Sequence, residues 1–320
     1  MRAGHYLAFS GGVGGAKLAL GLSRSLAPEQ LTIIANTGDD FQHFGLHISP
    51  DLDTLMYTLA NVSNIEQGWG QQRETWNFLA AMESLGADTW FQLGDRDLAT
   101  HVLRTQWLQS GRSLSEVTKQ LCARLGVAAN LLPMTDDPVR TWVCCTEETI
   151  PFQHYFVKRR SQPEVSGFQF RGIEQARPQP RFLECLNSAN LKGVIICPSN
   201  PFVSVDPLLQ LPGVRELLQA SAAPIIAVSP LVGGRAIKGP LAKMMAELGM
   251  PVTATSVARH YRGLIDCFVV DEGDATLAGQ IEDLGIQAAV TRTIMHSLEE
   301  RVALAEFVID LVSSLGGVNQ

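Results

Sequence analysis

Two rhythms of apolar residues alternate along this chain. Short continuous runs such as "HYLAF" (5–9), "LTIIA" (31–35), "GVIIC" (193–197), "PIIAV" (224–228) and "CFVV" (267–270) have the length and uniformity of strands buried on both faces. Between them lie stripes spaced by three and four. Leu18, Leu22 and Leu26 mark one face of a helix predicted over Ala16–Leu26, and Leu52, Leu55, Met56 and Leu59 mark another after Pro50. "GRSLSEVTKQLCARLGV" predicts a helix opened by a serine cap and closed by Gly126, and "GPLAKMMAELG" and "SLEERVALAEFVIDLVSSLG" predict two more. Strand, glycine turn, helix, strand is a βαβ unit, so the fold class is α/β with a parallel sheet. From about 131 to 190 the text changes. Pro, Arg, Gln and aromatics thicken, and alternation in "FQHYFVKRR" and "VSGFQFRGI" predicts strands of a smaller inserted lid. The core is therefore expected from 1–130 and 191–320.

Composition narrows the class. The chain has 320 residues, 46% hydrophobic and 18% charged, with a net charge of −7. That suits a folded protein with a large core and excludes the broad basic stripe of a nucleic-acid binder. Six cysteines occur, none in a CxxC spacing, and are expected as free thiols. No stretch approaches the ~20 apolar residues of a membrane span. A cytoplasmic protein without membrane partners is the expectation.

Chemistry concentrates where strands end. "FSGGVGGAKLALGL" (9–22) places Gly11, Gly12, Gly14 and Gly15 between a strand and a helix, then Lys17. Glycines allow close backbone approach, the helix start supplies free N–H groups, and the lysine adds a charge, which together suit a phosphate. The stretch is neither GxxxxGK[ST] nor a full GxGxxG, and tight packing is the plainer alternative. "NTGDD…SPDLD" follows the second strand and gathers Asp39, Asp40, Asp51 and Asp53. Carboxylates crowded near a phosphate site call for a divalent cation between them; Mg2+ is the expected cofactor. Capping duty at a helix start is the alternative, most obviously for Asp51. "GDRDLATHVLRTQ" (94–106), after a strand predicted in "TWFQL", offers Arg96, His101 and Arg104. "PSNP" contributes Ser199 and Asn200, and "SPLVGGRAIKGP" contributes Gly234, Arg235 and Lys238 as a second glycine-and-cation turn.

Eight segments in order, "GGVGGAKL", "NTGDD", "SPDLDTLMYTLA", "GWG" with "ETW", "LGDRDLATH", "LLPMTDDPV", "PSNPFVS" and "SPLVGGRAIKGP", run from residue 9 to about 245. Together they resemble the 2-phospho-lactate transferases of coenzyme F-420 biosynthesis. The resemblance implies a Rossmann-like, doubly wound, mostly parallel sheet with a smaller lid, in a homodimer. It implies an Mg2+-dependent reaction in which a guanosine diphospho-linked acid (lactyl, enolpyruvyl or glyceryl) gives its phospho-acid group to the terminal ribityl hydroxyl of the deazaflavin Fo, releasing GMP. Carried over residue by residue, Asp53 and Arg96, with His101 nearby, meet the deazaflavin. The glycine turn faces the diphosphate, and Ser199 and Asn200 lie near guanosine. Asp39, Asp40 and Asp53 are the expected metal ligands, and Asp53, Asp39, Asp40 and Lys17 the expected catalytic group. Phosphoryl transfer is mostly positioning and charge neutralisation, which the residues themselves also suggest. Trp69, Trp76 and Trp90 are candidates to stack on a planar ring, with core packing as the alternative.

Two other classes compete. Nucleotide-sugar-binding regulators of carbon flux and cell-wall synthesis carry a similar glycine turn, but NTGDD and GDRDLATH favour the transferase. A nicotinamide oxidoreductase needs an acid at the end of the second strand, where this chain has Asn36.

Overall fold

The computed structural model describes residues 4–318. Seven parallel strands form the main sheet: β1 (His5–Ser10), β2 (Leu31–Ala35), β3 (Asn130–Pro133), β4 (Leu191–Ile196), β5 (Ile225–Val228), β6 (Cys267–Asp271) and β7 (Gln287–Thr291). Their spatial order is β7-β6-β5-β4-β1-β2-β3. The chain winds outward from β1 through β2 to β3, then returns and winds the other way from β4. This is the doubly wound arrangement expected, with its switch point between β1 and β4. Phe9 pairs with Ile34 on one side and Ile196 on the other, so the three following turns leave the sheet level with one another.

Burial on both faces explains the unbroken apolar runs. Leu7, Phe9, Ile34, Val194, Ile196, Phe268 and Val270 enter one core; Tyr6, Ala8, Ile33, Ile195, Cys197 and Val269 enter the other. The second core is roofed by α1 (Gly12–Ser25), α2 (Pro50–Leu59) and the closing helix Leu298–Val318. A Cβ on Gly21 would collide with the carbonyl of Arg301, so only glycine lets α1 and the closing helix lie this close. Ser113 caps the helix Leu114–Arg124 by accepting from the Glu116 amide, and Gly126 follows it at φ +73°. Among the described residues no helix is long and apolar enough to cross a membrane. All six cysteines are free.

Three sequence expectations shift. The boundary at 131 falls inside β3, which edges the main sheet. The rest of the insertion builds a three-stranded antiparallel sheet (Arg140–Cys145, Thr149–Pro151, Val165–Arg171), yet Val143, Phe152, Tyr155 and Phe182 join the same core as Leu7 and Phe9. "FQHYFVKRR" is not a strand but a wide helical turn, His154–Lys158. Its apolar residues Phe152, Tyr155 and Phe156 are spaced by three and four, which sets a helical face and not an alternating one. "TWFQL" forms no strand either. Its aromatics are held sideways: Trp90 and Phe91 pack on Phe41 and His43 at centroid distances of 4.8–5.9 Å.

Candidate functional site

A cavity of about 610 Å³ opens at the carboxyl edge of the sheet over the switch point. Its floor is the glycine turn, Gly11, Gly12 and Gly14, with Lys17 one turn up α1; the turns after β4, β5 and β7 complete that side. Opposite stand Asp51 and Asp53 from α2, Asp97 and His101 from α3 (Asp95–Gln109), and the aromatics Phe91, Phe152 and Phe156. The loop 67–70, carrying Trp69, forms the roof.

The glycine turn is built for contact. Gly12 sits at φ +65°, where a side chain would be strained. A Cβ on Gly14 would fall 2.5 Å from the Pro198 carbonyl, and one on Gly15 would strike the hydroxyls of Ser10 and Ser199. Gly15 therefore joins helix to strand and does not line the cavity. Ser199 fastens the two turns at the switch point: its Oγ donates to the Gly11 carbonyl at 2.9 Å and accepts from the Gly11 amide at 3.2 Å. Asn200 spends its Oδ1 on the Phe202 amide at 3.0 Å, so its recognition of a base is limited to what its Nδ2 can offer. Lys17 has no carboxylate within ion-pair distance among the described residues. Burial lowers its pKa, and the charges of Arg301 and Lys238 lower it further. A half-buried, unpaired ammonium beside two other cations is a site that wants an anion.

The acids divide into two groups. Asp39 and Asp51 face the glycine turn. Asp51 accepts from the Gly12 amide at 2.6 Å and from Asn36 Nδ2 at 2.9 Å, and Asn36 also reaches Asp39 at 3.4 Å. Gln153 of the insertion donates to Asp39 Oδ2 at 3.3 Å. Burial pushes the Asp51 pKa up to about 6, against the pull of Asn36 and Gly12. Asp39 is raised well above the usual carboxylate range by burial, then by Asp51 and Asp40. Asp40 turns away from the cavity: one oxygen takes Ser49 Oγ at 2.8 Å and faces His47 Nε2 at 3.0 Å, and the other is buried without a partner. The metal triad expected as Asp39, Asp40 and Asp53 is thus not brought together, and Asp51 takes the place beside Asp39.

Asp53 belongs to the second group. Both of its oxygens accept from the Arg104 guanidinium, one from Nη1 at 2.9 Å, the other from Nη2. Arg104 is fully buried; burial works against its charge, but Asp53 more than restores it and raises its pKa. His101 lies between acids, with Nδ1 3.7 Å from Asp53 and Nε2 3.2 Å from Asp97. Tyr57 donates to Asp97 at 2.7 Å. Burial works against the charge of Asp97, but His101 and Tyr57 together hold its pKa below the usual value. Ligand atoms of Asp53, Asp97 and His101 lie within 4.8 Å of one another. Arg104, 2.9 Å from Asp53 and 3.2 Å from His101, already fills the place a cation would take. Both oxygens of Asp53 are engaged by the guanidinium fork, so this group suits holding a ligand more than moving a proton.

Of the other expected residues, Lys238 lines the cavity, whereas Arg235 and Arg96 are exposed and do not, and Gly234 only turns a hairpin at φ +70°. Trp69 lines the cavity at 40% exposure; Trp76 packs against it, and Trp90 belongs to the aromatic cluster behind Phe91. Asp97 and Gln153 are not among the sequence candidates, and Asp51 and Arg104 stand there without an assigned role. Asp97, His101 and Arg104 fall at i, i+4 and i+7, a polar stripe on one face of a helix, and that spacing was readable. Gln153 carried no signal.

Comparison with known proteins places the chain among relatives. The family model of the 2-phospho-L-lactate transferase CofD matches residues 7–302. The phosphoenolpyruvate transferase of Streptomyces griseus is 40% identical over 312 residues, 96% of this chain and 98% of its own. The 2-phospho-L-lactate transferase of Methanosarcina mazei is 38% identical over 301 residues, 94% and 98% of the two chains. Among solved structures, a UPF0052 family member from Bacillus halodurans superposes with a TM-score of 0.62 at 14% identity, covering 97% of this chain and 99% of that one. At that identity the likeness speaks for the α/β fold alone. A family match across nearly the whole chain, with the glycine turn, the paired acids and the polar helix face meeting in one cavity, establishes that this chain belongs to the CofD family of 2-phospho-L-lactate transferases.

Proposed function

We propose that this protein transfers a phospho-acid group (lactyl, enolpyruvyl or glyceryl) from a guanosine diphospho-linked donor to the terminal ribityl hydroxyl of the deazaflavin Fo, with GMP leaving, and that it does so as a homodimer. One observation carries the reading: a single cavity joins a phosphate-type glycine turn and unpaired cations to a wall of flat aromatic side chains. The amides of Val13 and Gly14, in the first turn of α1, and Lys17 would bind and orient the diphosphate and neutralise charge on its oxygens. Trp69, Phe152 and Phe156 would exclude water and hold the planar ring; Phe152 and Phe156 are already stacked, 5.5 Å apart and 8° from parallel. Asp53, fixed by Arg104, would accept from the acceptor's polar edge or its ribityl chain.

A divalent cation fits the acid pair on the donor side. Two buried carboxylates, each with a raised pKa, share Asn36 and have no ion-pair partner among the described residues, and an all-oxygen donor set suits Mg2+. Asp39 and Asp51 would hold it. When bound, such an ion supplies charge neutralisation at the transferring phosphoryl group.

The test is to incubate the protein with Fo, Mg2+ and each of the three guanosine-linked donors and to weigh the products. GMP and a phospho-acid ester of Fo are expected. Tight binding of a nucleotide sugar with no transfer from any donor would move the reading to the non-catalytic regulators.

A further inference from the structure

The roof of the cavity is a self-contained loop. The Asn64 amide donates to the Gly70 carbonyl at 3.1 Å, the Gly68 amide to the Asn64 carbonyl at 2.8 Å, and the Gln72 amide to the Val62 carbonyl at 2.8 Å. Asn64 Oδ1 accepts from the amides of Glu66 and Gln67, both at 3.1 Å. Gly68 and Gly70 at φ +78° and +68° let it close on itself. These bonds shape the loop but do not hold it over the cavity. On its entry side it hangs from the Tyr57 carbonyl, which accepts from the amides of Val62 and Ser63.

Its exit side is tied to α3 twice: Gln71 Nε2 donates to Thr100 Oγ1 at 3.5 Å, and at the start of the helix a shorter tie is reciprocal. Glu74 accepts from the amides of Arg96 at 2.8 Å and Asp97 at 2.9 Å, two of the unpaired donors at the start of α3. Asp95 accepts in return from Thr75 Oγ1 at 2.5 Å and from the amides of Asn77 and Phe78 at 3.2 and 3.1 Å. Gly94 makes room, since a Cβ there would collide with the Glu74 carboxylate. Trp76, two residues on, packs against Trp69 at the roof's tip, 6.1 Å between rings. The helix receiving the latch is the one that aims Asp97 and His101 into the cavity.

We propose that Glu74 is a positioning residue: its carboxylate latches the roof loop to the start of α3 and so sets the affinity for the planar acceptor. Glu74 does not line the cavity. It fixes the distance between the roof's Trp69 and the polar face of α3. The donor side, built on α1 and the turns at the switch point, is independent of it. The inference rests on the proposed transfer to a flat acceptor and adds a residue to that site.

The test compares Glu74→Ala, Glu74→Gln and Gly94→Ala with Ser113→Ala, which removes a similar helix cap far from the roof. Glu74→Ala and Gly94→Ala are expected to raise the Fo KM roughly fivefold or more, the usual scale of a lost cap. The donor KM and kcat should stay within about twofold. Glu74→Gln keeps an acceptor oxygen and should fall between. Hydrogen exchange of the amides at 64–72 should quicken in Glu74→Ala and stay unchanged in Ser113→Ala. Unchanged exchange in Glu74→Ala would overturn the latch. So would a loss of Fo affinity no greater than that of Ser113→Ala. The exchange measurement needs no substrate, so a failed latch and a failed transferase reading are told apart.

Discussion

At the scale of single residues, the decisive group is Asp51. Its neighbours make it resemble an ordinary helix-start acid, preceded by Pro50 and opening α2. The fold instead drives it against the Gly12 amide and buries it, with a pKa near 6 against 3.8 for an unburied aspartate. The folded state then binds the proton more tightly than the unfolded one. This contribution is fully present below about pH 4 and is lost as pH rises through about 6. Other acids slope the opposite way, so the difference between wild type and Asp51→Asn isolates it. That difference should fall by roughly 2 kcal/mol between pH 4 and pH 7, at 1.4 kcal/mol per unit. Denaturant titrations at several pH values measure it, and saturating Mg2+ should flatten the curve. Arg104 makes a second residue-scale case. Arg104→Ala leaves Asp53 buried and unpaired and is expected to cost about 3–5 kcal/mol in chemical denaturation. Asp53→Leu with Arg104→Met should recover most of that stability while abolishing transfer. These partners lie 51 residues apart, which is why no local pattern pairs Asp53 with Arg104.

At the scale of elements, the strands and most helices were legible because burial on one or two faces writes a period into the sequence. Leu18 and Leu22 of α1 are fully buried, as their spacing required. The failures share a cause. In 152–158 the apolar residues serve two masters: Tyr155 fills the core, while Phe156 and Val157 line the cavity. An aromatic-rich segment split between core and ligand loses a clean period. "TWFQL" failed likewise, because aromatic clustering across a loop mimics strand composition. The glycine stretch was legible as the junction of strand and helix, but α1 begins at Gly12 and not at Ala16, so Gly12, Gly14 and Gly15 lie in its first turn and do different things. Gly12 supplies the backbone conformation, Gly14 the approach to Pro198, and Gly15 the packing of α1 on the sheet. Gly14→Ala must push the turn away from the Pro198 carbonyl. It is expected to weaken guanosine nucleotide binding by about tenfold or more with little change in Fo affinity. Calorimetry with GDP and with Fo separately reads both.

At the scale of the molecule, the sheet order decides the function. β1 and β4 are neighbours although 180 residues separate their sequences, and the chain turns away from their shared edge in both directions. That divergence opens the crevice, and every turn that enters it starts at the same level. The insertion is less a separate lid than a wall, since its apolar residues share a core with the sheet. Strand order and the insertion's attachment depend on contacts between distant segments, and no local pattern carries them. The central claim is that a diphosphate and a planar alcohol meet in this one cavity. A crystal structure with GDP, Mg2+ and Fo tests it most directly. The diphosphate is expected on the glycine turn beside Lys17, with the deazaflavin against Trp69, Phe152 and Phe156. Nucleotide bound outside this cavity, or Fo bound on another face of the molecule, would contradict it.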